Sequence, residues 1–293
     1  MSETNDTSKT NGRIHSYHAE AHVLEGGLQL PLIQEIKPQA YVKLPEQGGY
    51  YPQRVENFKL EEVISFRTAY TQVAGNPDPK MGHGHATIAT SVIEGLNVLE
   101  VVTADRIVGQ VITEHPLEGD VPHISFLGTR FENLRIAGCP IDVKLNLDIL
   151  GARSESDVPY TQDAALKSRI ASQFDRLGEH LSLLAEMREG FHQLFPAIAI
   201  GEQKREPLEC SLVSEVTGAY PGRGLGHVIR IPGFGTIVLA RVAVTHQEIK
   251  QGKDILKATT VRLTMIDFKL GCPVKGDFTA ATAINNGMPV PPP

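Results

Sequence analysis

The sequence predicts a mainly β protein: antiparallel sandwich or barrel-like sheets in two strand-rich segments, with one long amphipathic helix inserted between them. Three observations carry this. Short runs rich in Val, Ile and Thr recur between Gly, Pro, Asn and Asp, first from Ile14 to Leu150 and again from Glu209 to Asn285. Such residues fit a pleated, half-buried surface. The hydrophobic period changes from that of a strand to that of a helix after Asp157. Strands and helices do not alternate, which excludes a doubly wound parallel sheet.

The elements follow in chain order. Residues 1–13 are polar and read as a disordered tail. They lack the apolar core of a signal peptide, so the expected compartment is the cytoplasm, with the cell surface reached only by a non-classical export route. Residues 14–152 form the first β-rich segment. "QAYVKLP" alternates and ends at Pro45, and "EVISFRTAYTQVAG" sets Val63, Ser65, Arg67 and Ala69 against Ile64, Phe66 and Thr68. In "PIDVKLNLDIL", Ile141, Val143, Leu145, Leu147 and Ile149 point one way and Asp142, Lys144, Asn146 and Asp148 the other. That is a strand with one wet face.

Residues 157–196 carry the helical pattern, as one helix or two broken near Gly178. Leu166, Ile170, Phe174, Leu177, Leu181, Leu184, Met187, Phe191 and Leu194 fall three or four apart. Asp157 or Ser156 would cap the start, Pro159 suits the first turn and Pro196 ends it. Strands resume over 208–286 and are expected to pack with the first segment. A Pro-rich extended tail closes the chain at 287–293.

Composition excludes several functions. The net charge of −6 offers no basic excess for phosphate contacts, so nucleic acid is not an expected partner. Tryptophan is absent and aromatics make up 6%, which speaks against a stacking platform for bases or sugars. No run approaches the roughly 20 apolar residues of a membrane helix.

Gly-Cys-Pro occurs twice, at Gly138-Cys139-Pro140 and Gly271-Cys272-Pro273, each after a strand-like run. Pro cannot donate to a ladder, so each triplet marks a strand end, corner or bulge. The pattern suggests a degenerate internal duplication, with both cysteines acting as small buried hydrophobes. Neither triplet forms Cys-x-x-Cys, and a Cys139–Cys272 disulfide is not expected in a reducing compartment.

His83 and His85 stand two apart in "GHGHATIAT", on one face if extended. Two imidazoles at that spacing suit a divalent metal, with His115, His123, Glu114 or Asp120 as a third ligand. A loop histidine pair at a strand entrance explains the same residues without a metal. The glycines of "GRGLGHVIRIPGFG" precede a strand, not the helix a dinucleotide loop needs. No Gly-x-Ser-x-Gly occurs, so serine hydrolase chemistry has no support.

The order of "ATSVIEGLNVLEVVTADRIVGQV", "FENLRIAGCPIDV" and "IRIPGFGTIVLARVAV" resembles bacterial choice-of-anchor P-type β domains, over about residues 80–145 and 228–285. The resemblance implies a β-rich, surface-associated structural domain and no catalytic residues. Those domains carry an export signal and an anchor, and neither is seen here.

The first expectation is therefore a non-enzymatic structural or interaction protein that needs no cofactor and self-associates. Its homo-oligomer seam would be Ile170, Phe174, Leu177, Leu181 and Leu184, spaced for knobs-into-holes packing, and the alternative is that the same stripe closes the chain's own β core. The alternatives are a metal-dependent enzyme centred on His83 and His85, and a small-ligand-binding β protein.

Overall fold

A computed structural model describes residues 14–76, 84–151, 157–181, 207–251 and 254–290. Their strands form two large sheets, and every pairing between them is antiparallel. Sheet 1 runs β12 (Cys139–Pro140), β11 (Arg135–Ile136), β8 (Val102–His115), β7 (His85–Val98), β6 (Ile64–Gly75) and β5 (Gly49–Leu60). β9 (His123–Ser125) and β10 (Arg130–Glu132) also pair with β8. Sheet 2 runs β16 (Arg223–Leu225), β17 (Val228–Ile231), β18 (Gly235–Gln251), β19 (Asp254–Leu270), β20 (Lys275–Asn285), β2 (Ala19–Leu30) and β3 (Gln34–Gln39). β14 (Leu208–Ser211) joins it at β18, and β4 (Val42–Lys43) joins at β2. Two short ribbons remain: β13 (Asp142–Leu145) with β15 (Val213–Thr217), and β1 (Ile14–Ser16) with β21 (Met288–Val290).

The sheets stack with their inner faces packed into one core. A hydrogen bond crosses between them, from Ser91 Oγ on β7 to the His22 carbonyl on β2, 2.8 Å. Neither sheet closes into a barrel among the described residues, so the sandwich reading holds. The two sheets do not correspond to the two sequence segments, because β2, β3 and β4 cross over to complete sheet 2. Residues 288–290, read as part of a free tail, form β21 and pin it to β1, with His15 opposite Pro289.

Each sheet is crossed by one row of broken rungs. In sheet 2 the row is Ala240, Met265, Ala281 and Val23, which are missing from otherwise regular registers. Ala240 and Ala281 hold φ of 47° and 55°, a left-handed backbone that costs an alanine strain. In sheet 1 the row is Asn57, Arg67, Gly95 and Asp105, with φ of 53° at Asn57 and 66° at Gly95. Along each strand the buried series changes phase at the row. On β6, Ile64 and Phe66 point inward before it and Ala69, Thr71 and Val73 after it. The unbroken alternation expected from Val63 to Ala69 is therefore wrong at Arg67.

The "PIDVKLNLDIL" alternation survives in burial from Ile141 to Ile149, but the strand itself stops at Leu145. Both Gly-Cys-Pro triplets stand at strand ends, although their cysteines are not buried hydrophobes. Gly138 (φ 77°) follows Ala137 (φ 48°) in the tight β11–β12 hairpin, which leaves Cys139 half-buried. Cys272 is exposed in the β19–β20 connection. All three cysteines are free, and the buried one is Cys210, whose thiol burial pushes up to about 12.

Of the helix expected over 157–196, the described part is α1, Ala164–Leu181, which starts later than expected, and residues 182–196 lie outside the described residues. Residues 160–162 form a 3-10 turn before it. Asp163, not Asp157, caps α1, and Ser156 lies outside the described residues: the Asp163 Oδ1 accepts from the backbone N–H groups of Ala165 and Leu166 at 2.8 and 3.1 Å. Asp157 instead holds the 120–121 loop, accepting from the backbone N–H groups of Asp120 and Val121. Leu166 and Ile170 are buried in the chain's own core, and Gln173 donates to the Ser211 carbonyl at 2.9 Å. The side chains of Phe174, Leu177 and Leu181, and all of Leu184, lie outside the described residues.

Candidate functional site

The inner face of the sandwich turns polar at one end. On β7 the inward series is Ser91, Ala89, Thr87 and His85, and on β8 it is Val111, Thr113 and His115. Thr87 stands directly opposite Thr113, and His85 opposite His115. Directly opposed side chains in an antiparallel pair are near neighbours, so two hydroxyls and two imidazoles form consecutive rungs. From sheet 2, Asn285 reaches across and donates to the Thr87 carbonyl at 3.1 Å.

The N-terminal segment closes this end. His15 lies on the His85 ring, with centroids 4.7 Å apart and planes 9° from parallel. The His115 ring is 4.6 Å away and tilted by 50°. Tyr17 meets His15 edge-on at 4.6 Å. The Tyr17 hydroxyl donates to the Asn76 carbonyl and lies 3.0 Å from His85 Nδ1. A phenol has one hydrogen, so His85 Nδ1 is the donor in that second contact and its Nε2 is left as an acceptor. Backbone forms part of the wall. A β-carbon at Gly287 would stand 2.7 Å from His15 Nε2, and one at Gly75 would meet the Tyr17 ring at 2.4 Å. Only glycine permits these approaches.

Polar atoms without a hydrogen-bond partner among the described residues gather here. They are both ring nitrogens of His15, the hydroxyls of Thr87 and Thr113, and Oδ1 of Asn285. His15 is 6% exposed and Asn285 0%. Burial, with the neighbouring His115 and His85 rings, pushes the His15 pKa down to about 3. Burial also lowers that of His85. These imidazoles are therefore neutral at pH 7.

Of the residues singled out in the sequence, His85 and His115 come together, and His83 lies outside the described residues. Glu114 and His123 are exposed on β8 and β9, and Asp120 pairs with Lys257 at 3.2 Å. The His15–His85 stack is not a chelate as it stands. Imidazole lone pairs lie in the ring plane, and two nearly parallel planes do not converge on one ion. Among the described residues no group of three His, Cys, Asp or Glu side chains is arranged to hold a metal.

Sequence reasoning missed His15 and Tyr17. They open the alternating series His15, Tyr17, Ala19, Ala21, Val23, whose later members are all buried on the inner face. That period was the available signal.

A family model described as Domain of unknown function (DUF8256) matches residues 15–245. The chain belongs to this family. No curated protein and no solved structure matches it. The DUF8256 span starts at His15 and includes Tyr17, Thr87, His85, Thr113 and His115, and Asn285 lies beyond it. No described helix is long and apolar enough to cross a membrane.

Proposed function

We propose that this DUF8256 protein is a non-enzymatic β-sandwich that binds a small polar molecule at its histidine end. The observation that carries this reading is the gathering of partnerless polar atoms from His15, Thr87, Thr113 and Asn285 in one buried place. Each such atom costs about 1–3 kcal/mol, and buried polar groups in native proteins are otherwise satisfied. A fold retains that cost where the groups serve a ligand. The half-buried ring of His85 lies on the approach to the others.

Thermal unfolding of the full chain against a panel of small polar compounds tests this. Binding compounds raise the melting temperature of the wild type and not that of His15→Phe. The variant by itself melts at or above the wild-type temperature, because it removes two unsatisfied nitrogens while keeping a ring on His85. A panel that shifts neither protein, or both equally, overturns the reading.

A further inference from the structure

We infer that the chain pairs with a second copy of itself along strand β5, in an antiparallel register centred on Val55, so that sheet 1 of one copy continues into sheet 1 of the other. The inference is independent of the ligand site.

It starts from the edges of the two sheets. Among the described residues β5 pairs only with β6 and ends sheet 1. It is twelve residues long, whereas the other sheet ends are short: β12 has two residues, β16 three, and β3 six with Pro38 among them. Every residue from Tyr50 to Arg54 is exposed, so both faces of β5 meet solvent there. A long uncovered edge is a template for another strand.

The register fixes which backbone groups this edge offers. The Asn76 N–H donates to the Ala86 carbonyl at 3.2 Å, and this pair continues the β6–β7 ladder beyond Gly75 and Thr87. Bonded and non-bonded pairs alternate along an antiparallel ladder, so Ala74, Gln72, Tyr70 and Thr68 bond toward β7. Their opposite numbers Tyr50, Pro52, Arg54 and Glu56 direct their N–H and C=O groups away from β6, to the edge. Pro52 agrees with this parity: its missing N–H falls where β6 needs no donor.

Chemistry then selects the register. A centre at Arg54 or Glu56 sets like charges opposite one another. A centre at Tyr51 or Gln53 sets Pro52 opposite Tyr50 or Arg54 and loses a bond at each such pair. A centre at Val55 sets Arg54 opposite Glu56 of the second copy, and each residue of the pair supplies both an N–H and a carbonyl. The half-buried Val55 meets its own copy. Arg54 and Glu56 already lie 2.6 Å apart in one chain, with side chains 66% and 53% exposed. In the dimer the four charges close into an alternating ring. Asn57, with φ of 53°, ends the regular ladder on either side and keeps the contact small.

Sedimentation equilibrium of the full chain tests this. A contact of this size is expected to show a monomer–dimer equilibrium between about 10 μM and about 1 mM protein. Arg54→Glu and Glu56→Arg each give the ring a single sign, and each weakens the dimer by about tenfold or more. Mixed in equal amounts, the two variants pair with each other, because one strand then carries two acids and the other two bases. The double exchange restores self-pairing. Both side chains are exposed, and circular dichroism checks that the variants fold. In the wild type, amide hydrogen exchange at Arg54 and Glu56 slows as the protein concentration rises, a readout that needs no variant. A wild type that stays monomeric throughout leaves the edge to a different partner and overturns the inference. So does a dimer without slowed exchange at these two amides, a dimer that the single variants leave unchanged, or a loss that neither mixing nor the double exchange restores.

Discussion

The two halves of the sandwich interior are built on the same strands and obey opposite rules. On β19 and β20, the half beyond the broken rung holds Phe268 and Phe278, stacked at 4.6 Å, with Phe234 edge-on to Phe268 at 6.5 Å. These rings are buried and carry no polar atom, so the hydrophobic effect alone accounts for them. The half on the near side runs through Ala283 to Asn285 and ends against Thr87, Thr113 and the three histidines. Here the fold buries the ring nitrogens of His15 and the hydroxyls of Thr87 and Thr113 without a hydrogen-bond partner among the described residues. The difference teaches where stability and function divide: the phenylalanine half holds the sheets together, and the histidine half is carried by it.

The largest break in this comparison is Phe268→Ala. It removes a fully buried ring from the stacked pair, and a cost of about 3–5 kcal/mol is expected in urea unfolding. A loss below 1 kcal/mol would mean that this half is not the stabilising one. Acid gives the next effect, and it falls on the histidines. The folded-state pKa of His15 is lowered from 6.5 to about 3, so below pH 6.5 the unfolded chain binds the proton more readily. Stability is full above pH 7 and declines as the pH falls toward 3, by about 2 kcal/mol at pH 5 for this group. His227, lowered to about 3 by burial and by Arg241, adds a loss of the same sign. Urea midpoints at pH 7 and 5 measure the sum, and His15→Phe should remove its share.

Much of the phenylalanine half was legible in the sequence and little of the histidine half was. Strand alternation in "PIDVKLNLDIL" and the Val, Ile and Thr runs report burial, and burial is what composition encodes. The broken rungs left no comparable trace, because a phase change at Arg67 or Met265 depends on the neighbouring strands. His85 stood out through His83, which lies outside the described residues. Its partner His115 is fixed by the β7–β8 register, and His15 by the pairing of β1 with β21, a contact between the two ends of the chain. Pairing at that separation cannot be read from local periodicity. The helix shows the same limit: the spacing of Leu166 and Ile170 marked an apolar stripe that either a partner or the chain's own core would cover, and packing decides for the core at these two positions.

A smaller effect sharpens the contrast at the level of single hydroxyls. Ser91 lies just inside the polar rungs, and its Oγ has a partner, the His22 carbonyl on the facing sheet. Ser91→Ala deletes one satisfied bond that links the two sheets. A loss of about 1 kcal/mol is expected in urea unfolding, the ordinary net worth of such a bond. An unchanged midpoint would show that the cross-sheet bond contributes nothing.

Thr113→Val is the matched opposite and the smallest effect. Thr113 stands on the same inner face, 1% exposed, but its hydroxyl has no partner among the described residues. Valine keeps the shape of threonine and replaces the hydroxyl by a methyl group, so the packing against Thr87 is retained while an uncompensated desolvation is removed. The free protein should therefore gain stability, by up to about 1 kcal/mol, where Ser91→Ala loses it. The gain has a second reading in the presence of ligand. If Thr113 donates to the bound molecule, valine removes that bond, and a compound that binds should protect the variant less than the wild type in the same unfolding assay. A variant that loses stability on its own would mean that the Thr113 hydroxyl is already satisfied in the free protein, and one that is protected as well as the wild type would place the ligand away from this rung.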